Sequence, residues 1–457
     1  MARPLVQGYL PQDRPAAPAM ISLGLQHVVT MFPATVLVAI LTGFDVGVTL
    51  FASGLATVLA LLLSRGRIPL YYGSSFAYIV PVAAIVKLYG VPVAQAGIIA
   101  TAFVSILTGL LIRQVGRGVL DRILPPIITG SMAIVIGIAL AKAALDMATG
   151  ACCLGDNLTA QGGSWFVVAL ATLLITVCAS VYLQGRGLLG MLPVLIGALS
   201  GYAIAFAVGL VDFSNVATAP WFAVPNFSLP DFTHPQALTA MLAIAPIAIA
   251  TIPESTAHLY QISLYVDKLA EELHRPPLGI RRLIGLNLML DGLGDFVNGA
   301  LGGCAGTNYG ENNSLMAITR NYSAPVLMTA GVIAMLLGFI GKLAALVGTI
   351  PTAVVGGLAI YLFGVIGLQG VALMQSERVD LFNPRQLAIG ATILVIGIGG
   401  SAFANGSIPV GSYNLPAIAT AALFGIVLNL LFMFAPGRSA PVEGIDEPVA
   451  AAPQHSA

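Results

Sequence analysis

Charge is scarce in this chain. Only 8% of its 457 residues are charged, against about 25% in soluble globular proteins, and that shortage excludes an ordinary soluble enzyme. Lys plus Arg (19) equals Asp plus Glu (19), so no basic surplus exists for a nucleic-acid footprint and no nucleic-acid partner is expected. Cysteine is rare as well: Cys178 sits in an apolar run, Cys304 in a Gly-rich segment, and Cys152 and Cys153 are adjacent in a polar loop. With no CxxC pair and no histidine beside these thiols, no metal site is expected. The Pro-rich residues 1–17 lack a basic stretch before a short apolar core, so no cleaved signal peptide is expected. Residues 436–457, rich in Ala, Pro and Glu, are expected to be a disordered tail.

What fills the chain is apolar: 58% hydrophobic residues, a mean hydropathy of +0.94, with 51 Gly and 28 Pro. Membrane helices tolerate Gly and Pro better than soluble ones do. A helical span needs about 20 apolar residues, and candidates run over 18–42, 47–63, 92–112, 124–146, 164–183, 188–211, 238–265, 281–300, 323–348, 352–370, 387–404 and 414–435. Two further stretches, 70–89 and 303–319, are broken by Tyr71-Tyr72-Gly73-Ser74-Ser75 and by Gly302-Gly303 with Gly306. The expected fold is therefore an all-α polytopic membrane protein of fourteen transmembrane segments, whose third and tenth spans contain short extended stretches.

Loop charge sets an orientation. With the N-terminus inside, sixteen of the 19 Lys and Arg residues fall on the inner side and only Lys87, Lys142 and Lys342 on the outer, a strong positive-inside bias that predicts both termini to be cytoplasmic. The chain also repeats itself. Leu124-Pro125 before Gly130 recurs as Ile350-Pro351 before Gly356 (350 − 124 = 226), Gly73 and Phe76 recur as Gly306 and Tyr309 (306 − 73 = 233), and His27 falls opposite Glu254 (254 − 27 = 227). Seven spans per copy is odd, so the second copy is inverted. A seven-plus-seven inverted repeat with broken helices at matching positions marks a secondary transporter.

Ionisable groups inside a bilayer are costly and are functional candidates. His27, Glu254, His258 and Glu311 qualify. Glu254 and His258, four apart, share a helical face; a structural pair stapling two helices is the alternative. For His27 the alternative is a hydrogen-bonded packing histidine. Asp291 and Asp295, also four apart beside a Gly-rich helix, suggest packing or capping. Glu311 follows Thr307-Asn308-Tyr309-Gly310 and opens a short helix, where a half-helix dipole and free N–H groups favour an anion; capping of its own helix is the alternative. Phe76 and Tyr309 offer two aromatic faces. Together these groups suit a small, flat, polar heterocycle, with carboxylates accepting ring N–H groups and backbone N–H groups bonding ring carbonyls. No Ser/Lys, HExxH or paired-Asp constellation appears on neighbouring spans, so no catalytic residue, enzyme activity or cofactor is expected.

These residues carry a family resemblance. Gln26-His27, Gly73-Ser74-Ser75-Phe76, Glu254 with His258, and Tyr309-Gly310-Glu311-Asn312 through Met316-Ala317-Ile318-Thr319-Arg320 resemble the nucleobase–ascorbate transporters (nucleobase:cation symporter-2), most closely the bacterial uracil permeases, over about residues 18–435. The resemblance implies a core domain (spans 1–4 and 8–11) and a gate domain (spans 5–7 and 12–14), dimerisation through the gates, and a bacterial inner membrane. It also implies nucleobase binding by Phe76, Glu254, Tyr309, Gly310 and Glu311, with His27, His258 and Asn312 supporting them, and proton coupling that involves Glu254. Two departures bear on selectivity. Ser314, preceded by Asn313, replaces the signature glycine, and Glu-His-x-Gly-His reads Glu254-Ser255-Thr256-Ala257-His258. Ser75, Asn313 and Ser314 are therefore expected to tune substrate choice among uracil, xanthine and urate. Anion transporters share the seven-plus-seven architecture, but two acidic residues in the pocket count against them.

Overall fold

The computed structural model describes residues 8–433 except 117, 153, 156–157, 185, 187–188, 191, 404–405 and 411–412. The expected tail at 436–457 lies outside the described residues. Helices dominate: α1 (Ala17–Thr42), α2 (Val46–Leu63), α3 (Ile79–Tyr89), α4 (Val91–Val115), α5 (Gly118–Ile123), α6 (Pro126–Ala139), α7 (Ala141–Thr149), α8 (Leu158–Tyr182), α9 (Pro193–Ala207) and α10 (Ser214–Thr218). The second part of the chain adds α11 (Ala237–Ile244), α12 (Ile247–Glu272), α13 (Ile284–Leu301), α14 (Gly310–Thr319), α15 (Ala324–Gly338), α16 (Gly341–Gly348), α17 (Thr352–Ser376), α18 (Pro384–Leu394) and α19 (Ala417–Met433).

Among the described residues, seven helical stretches are long and apolar enough to cross a bilayer, including α1, α2, α4, α6 with α7, and α17. Five further apolar helices among the described residues are shorter, Phe76–Tyr89 and Ala324–Gly338 among them. The expected span 238–265 is one of the seven and is broken at Ala245-Pro246 into α11 and α12, and Pro253 inside α12 removes one further backbone hydrogen bond immediately before Glu254.

Two extended stretches replace helix where the sequence was expected to break. β1 (Tyr72–Ser74) pairs antiparallel with β2 (Gly306–Asn308), in the register Tyr72↔Asn308, Gly73↔Thr307 and Ser74↔Gly306. Side chains cannot be accommodated at the crossing: a Cβ on Gly306 would lie 1.8 Å from the Gly73 carbonyl oxygen, and one on Gly73 would lie 2.2 Å from Cε2 of Tyr309. Buried backbone polar groups need partners, and here side chains supply those that two short strands cannot. Ser53 Oγ donates to the Tyr72 carbonyl (2.6 Å), Thr57 Oγ1 accepts the Tyr72 N–H (3.0 Å), and the Asp295 carboxylate accepts the Gly306 N–H (2.8 Å). The Tyr309 N–H closes on the Tyr71 carbonyl (2.8 Å) and the Ser75 N–H on the Ala305 carbonyl (3.1 Å).

A hairpin elsewhere departs from the all-α expectation. β3 (Ser407–Val410) pairs with β4 (Tyr413–Pro416), so the helix expected from 414 starts at Ala417. Its strand Ser-Ile-Pro-Val is half-exposed or exposed and ends in a short β-branched, proline-containing run, a composition that favours extended backbone over helix.

Glycine sets two close helix crossings with matching geometry. On α2, Gly47 and Gly54 meet the backbone of Gly338 and Gly331 on α15; on α13, Gly285 and Gly292 meet Gly109 and Ala102 on α4. A Cβ at Gly54 would lie 2.3 Å from the Gly331 oxygen, and one at Gly109 would lie 2.5 Å from the Gly285 oxygen. Small residues at such contacts allow backbones to approach without a hydrophobic driving force from water.

Helix ends show a division of labour. The non-glycine residues with positive φ among those described are Arg65, His274, Arg320 and Arg378 (φ 51 to 56°), each just beyond a helix C-terminus, whereas Gly43, Gly150 and Gly302 hold that role for α1, α7 and α13. Three of the four basic caps lie where the N-terminal segment packs. Tyr9 N–H bonds the Arg320 carbonyl, Arg275 beside His274 pairs with Asp13 at 2.6 Å, and Ala324, which touches Gly66, bonds the Pro11 carbonyl.

Candidate functional site

The paired strands launch two short helices. A 3-10 turn, Phe76–Tyr78, follows β1 and leads into α3; α14 follows β2 and begins at Gly310. Ser75 Oγ caps the first by accepting the Ala77 N–H (3.3 Å). Glu311 stands in the first turn of α14, as its sequence position predicted.

The α12 helix brings Glu254 and His258 to this junction. Exposed positions recur at Glu254, Ala257 and Leu264 on α12 and at Glu311, Ser314 and Ile318 on α14, so each helix has one accessible face and each face carries a carboxylate. Glu254 interacts electrostatically with both His258 and Glu311. His258 is tied down at Nδ1, 2.9 Å from the Asn308 carbonyl oxygen and 2.9 Å from its Oδ1. Its ring lies over Gly310, where a Cβ would come within 2.6 Å of Nε2.

The supporting residues divide between the two neighbouring helices. His27 is buried on α1, and its Nδ1 accepts from Asn312 Nδ2 (3.1 Å), linking α1 to α14. Asn313 is fully buried and donates from Nδ2 to the His258 carbonyl (3.1 Å), while Ser314 is exposed and its hydroxyl returns to the Gly310 carbonyl (3.1 Å).

The aromatic pair is asymmetric. Phe76 is half-buried and meets Phe363 of α17 edge-on, centroids 6.1 Å apart. Tyr309 is buried: its ring stacks on Tyr71 (6.4 Å) and covers Gly73, and its hydroxyl lies 2.9 Å from Thr35 Oγ1. Of the two aromatic faces expected, Tyr309 therefore offers its backbone rather than an open ring.

Behind the site lies a polar cluster that the sequence reading did not assemble. Ser255 Oγ hydrogen-bonds Asp291, accepts from Asn287 Nδ2 (2.7 Å) and accepts from Asn308 Nδ2 (3.0 Å). Asp295 accepts from the Tyr72 hydroxyl at 2.7 Å besides the Gly306 N–H. The i, i+4 pair Asp291 and Asp295 thus holds β2, Asn308 and Tyr72 in place. The spacing of the two aspartates was the available signal; the partners are distant in sequence.

Comparison with known proteins places this geometry. The transmembrane domain of a cyanobacterium bicarbonate transporter, BicA, superposes with a TM-score of 0.57 at 16% identity, covering 90% of this chain and 97% of that one. SLC26A9 superposes at 0.63 and 13% identity, covering 91% and 66%. At such identities the likeness concerns the fold, which is that of multi-pass membrane transporters. Sequence relatives are much nearer: a uracil permease of Bacillus caldolyticus, 39% identical over 442 residues (95% of this chain, 96% of the relative), and uracil permeases of Bacillus subtilis (38%; 92% and 94%) and Escherichia coli K12 (37%; 92% and 92%). The model Xan_ur_permease, described as “Permease family”, matches residues 18–406. The chain belongs to this permease family, whose members are transporters and not enzymes.

Proposed function

We propose that the protein is a secondary active transporter that imports a nucleobase, uracil or a related pyrimidine, by proton symport and alternating access. The observation that carries this reading is the pair of accessible carboxylates, Glu254 and Glu311, meeting at paired extended strands with His258 beside them. A pyrimidine ring presents N–H donors to Glu254 and Glu311 and carbonyl acceptors to the backbone N–H groups opening the Phe76 turn and α14, with Phe76 against its face. Relatives named uracil permease over nearly the whole chain support the pyrimidine class. A purine such as xanthine or urate is the second reading, favoured by the polar Asn313 and Ser314 in place of the usual signature residues.

The scaffold of this proposal has fourteen crossings in an inverted seven-plus-seven repeat. The third and tenth spans are broken at β1 and β2, with core spans 1–4 and 8–11 and gate spans 5–7 and 12–14. The matched glycine crossings of α2 on α15 and α13 on α4 support the repeat, because inverting one copy onto the other exchanges these two contacts. Loop charge supports cytoplasmic termini in a bacterial inner membrane, and the gate domains are proposed to form a homodimer.

Two like charges held in one membrane-embedded site cannot both be ionised at low cost, which gives a proton a place to travel. Glu254 is assigned that proton, taken up outside with substrate and released inside. The test is uptake of radiolabelled uracil into proteoliposomes under an imposed pH gradient, with xanthine and urate as competitors. Gradient-dependent accumulation abolished by a protonophore is expected. Accumulation indifferent to the gradient would remove proton symport, and no uptake of any base would remove the substrate class.

A further inference from the structure

We infer that Asn308 is a positioning residue that fixes His258 as its Nδ1–H tautomer, leaving Nε2 as the only ring atom free to gain or lose a proton toward the Glu254 and Glu311 carboxylates. The assignment follows from donor and acceptor chemistry. A backbone carbonyl can only accept, and the Asn308 carbonyl lies 2.9 Å from His258 Nδ1, so that nitrogen carries the hydrogen. The Asn308 side-chain oxygen accepts the same hydrogen at 2.9 Å. Which nitrogen of a histidine titrates is set by the bond that the other one makes.

The orientation of the Asn308 amide is itself fixed. Its Nδ2 donates to Ser255 Oγ (3.0 Å) and approaches both Asp291 oxygens (3.4 and 3.5 Å), which makes a flipped amide unfavourable because its oxygen would face a carboxylate. Ser255 Oγ bonds Asp291 and accepts from Asn287 and Asn308, which fills its hydrogen-bonding capacity. His27 shows the opposite arrangement. Its Nδ1 accepts from Asn312, so in the neutral ring the hydrogen sits on Nε2. The two histidines beside the site therefore differ in kind: His258 turns an acceptor nitrogen toward Gly310 and the opening of α14, and His27 uses its acceptor to hold that helix.

Charged neighbours of His258 come from three helices: Glu254 one turn away on its own α12, Glu311 next to Gly310 on α14, and Asp291 on α13 through Asn308. The Phe76–Tyr78 turn adds the phenol of Tyr78, 3.4 Å from Thr251 of α12. The α6 and α19 helices, which also pack on α12, contribute no charged residue. Arg281 joins α12 at Ser263, more than a turn beyond His258, and Arg113 of α4 packs at Gly285. A proton held at Nε2 would therefore have the two glutamates as its nearest named charges and, among the described residues packed there, no basic group. The relay role rests on the proton-coupled reading above; the tautomer does not.

The test is nitrogen-15 NMR of histidine-labelled full-length protein in nanodiscs, with the His258 signal identified by its loss in His258→Gln. A protonated Nδ1 and a bare Nε2 are expected in the neutral ring; a bare Nδ1 would overturn the assignment whatever the transport result. Asn308→Ala keeps the backbone acceptor and removes the side-chain one, so it is expected to retain the Nδ1–H tautomer while shifting the Nδ1 resonance and loosening the ring. It should also lower gradient-driven uracil uptake about tenfold, the rate equivalent of one lost buried hydrogen bond, with KM changed far less. Ser255→Ala, which frees the Asn308 amide, should lower uptake in the same direction, and Ser255→Thr, which keeps the hydroxyl, should recover it. An unshifted Nδ1 resonance with full uptake in Asn308→Ala would remove the positioning role of its side chain. If Asn308→Ala does not fold, the wild-type spectrum and the Ser255 pair decide. A wild-type protein that neither binds nor moves uracil, yet shows the Nδ1–H tautomer, would overturn the transport reading alone.

Discussion

The hydroxyl of Tyr72 donates to the carboxylate of Asp295 at 2.7 Å, joining the first extended strand to a helix 223 residues later in the chain. The same Asp295 oxygen accepts the Gly306 N–H of the second strand, so one carboxylate fastens both halves of the crossing. Tyr72→Phe leaves a buried acceptor short of a donor and is expected to cost about 1–3 kcal/mol. Asp295→Ala, which strips both bonds, should cost more. Thermal unfolding in detergent checks the order; equal midpoints for wild type and Tyr72→Phe would show the bond to be dispensable.

Glycine contacts give a second expectation, this time about symmetry. Gly54→Val and Gly292→Val each drive a side chain into the backbone of a facing helix, at Gly331 and Ala102 respectively. Overpacking of this kind costs typically about 1–3 kcal/mol, and more where backbone rather than a flexible side chain must yield. Both variants should lose a similar amount of thermal stability, and a large loss in one alone would argue against equivalent crossings.

Substrate binding is the third. Glu311→Gln keeps the shape of the side chain and replaces an acceptor oxygen by a donor, a mismatch of about 1–3 kcal/mol or more against a ring N–H. Uracil affinity by calorimetry should fall at least about tenfold with the unfolding midpoint of the unliganded protein unchanged. Undiminished affinity would take Glu311 out of the site.

Phe76→Ala should weaken every base bound by about 1–3 kcal/mol, because stacking is indifferent to hydrogen-bond pattern. The contact with Phe363 means that the variant also loses an edge-on aromatic pair, so its unliganded stability must be measured beside its affinity. A loss confined to one base would make Phe76 a selectivity residue instead.

The proton is the last of these expectations. Glu254→Gln mimics a permanently protonated side chain, so it should abolish uptake driven by a pH gradient while keeping exchange of labelled for unlabelled uracil. Wild-type accumulation in Glu254→Gln proteoliposomes would shift the carrier role to Glu311 or His258.

Much of the fold was legible because it depends on local chemistry. Apolar runs located the helices, Gly73 and Gly306 located the strands, and Glu311 was placed at a helix start from the small, polar residues before it. The hairpin at Ser407–Pro416 was not foreseen, since its residues sit between two apolar runs that each read as a span. Of the candidate site, Glu254, His258 and Glu311 could be picked out one by one because charge is conspicuous in an apolar chain. Their scaffolding could not. Ser255, Asn287 and Asn308 are ordinary polar residues whose meaning comes from meeting one another across three elements, and the enclosure of the Tyr309 ring depends on Tyr71 and Thr35, which no spacing rule connects to it.

The basic residues that end α2, α12, α14 and α17 in a left-handed turn have a consequence for how the chain is made. Such a conformation costs an L-residue roughly 1 kcal/mol that glycine avoids, and a cation at a helix C-terminus recovers about 0.3–1 kcal/mol of it. The balance in the turn itself is close to neutral for Arg65, His274 and Arg378, whereas Arg320 also pairs with Glu272. Under the proposed orientation, with both termini inside, Arg65, Arg320 and Arg378 also fall on the inner side, where a positive charge holds a helix end back during insertion. Glycine at those three turns would satisfy the same final geometry, yet under that orientation it would give the insertion machinery fewer instructions about which way each hairpin of helices should face.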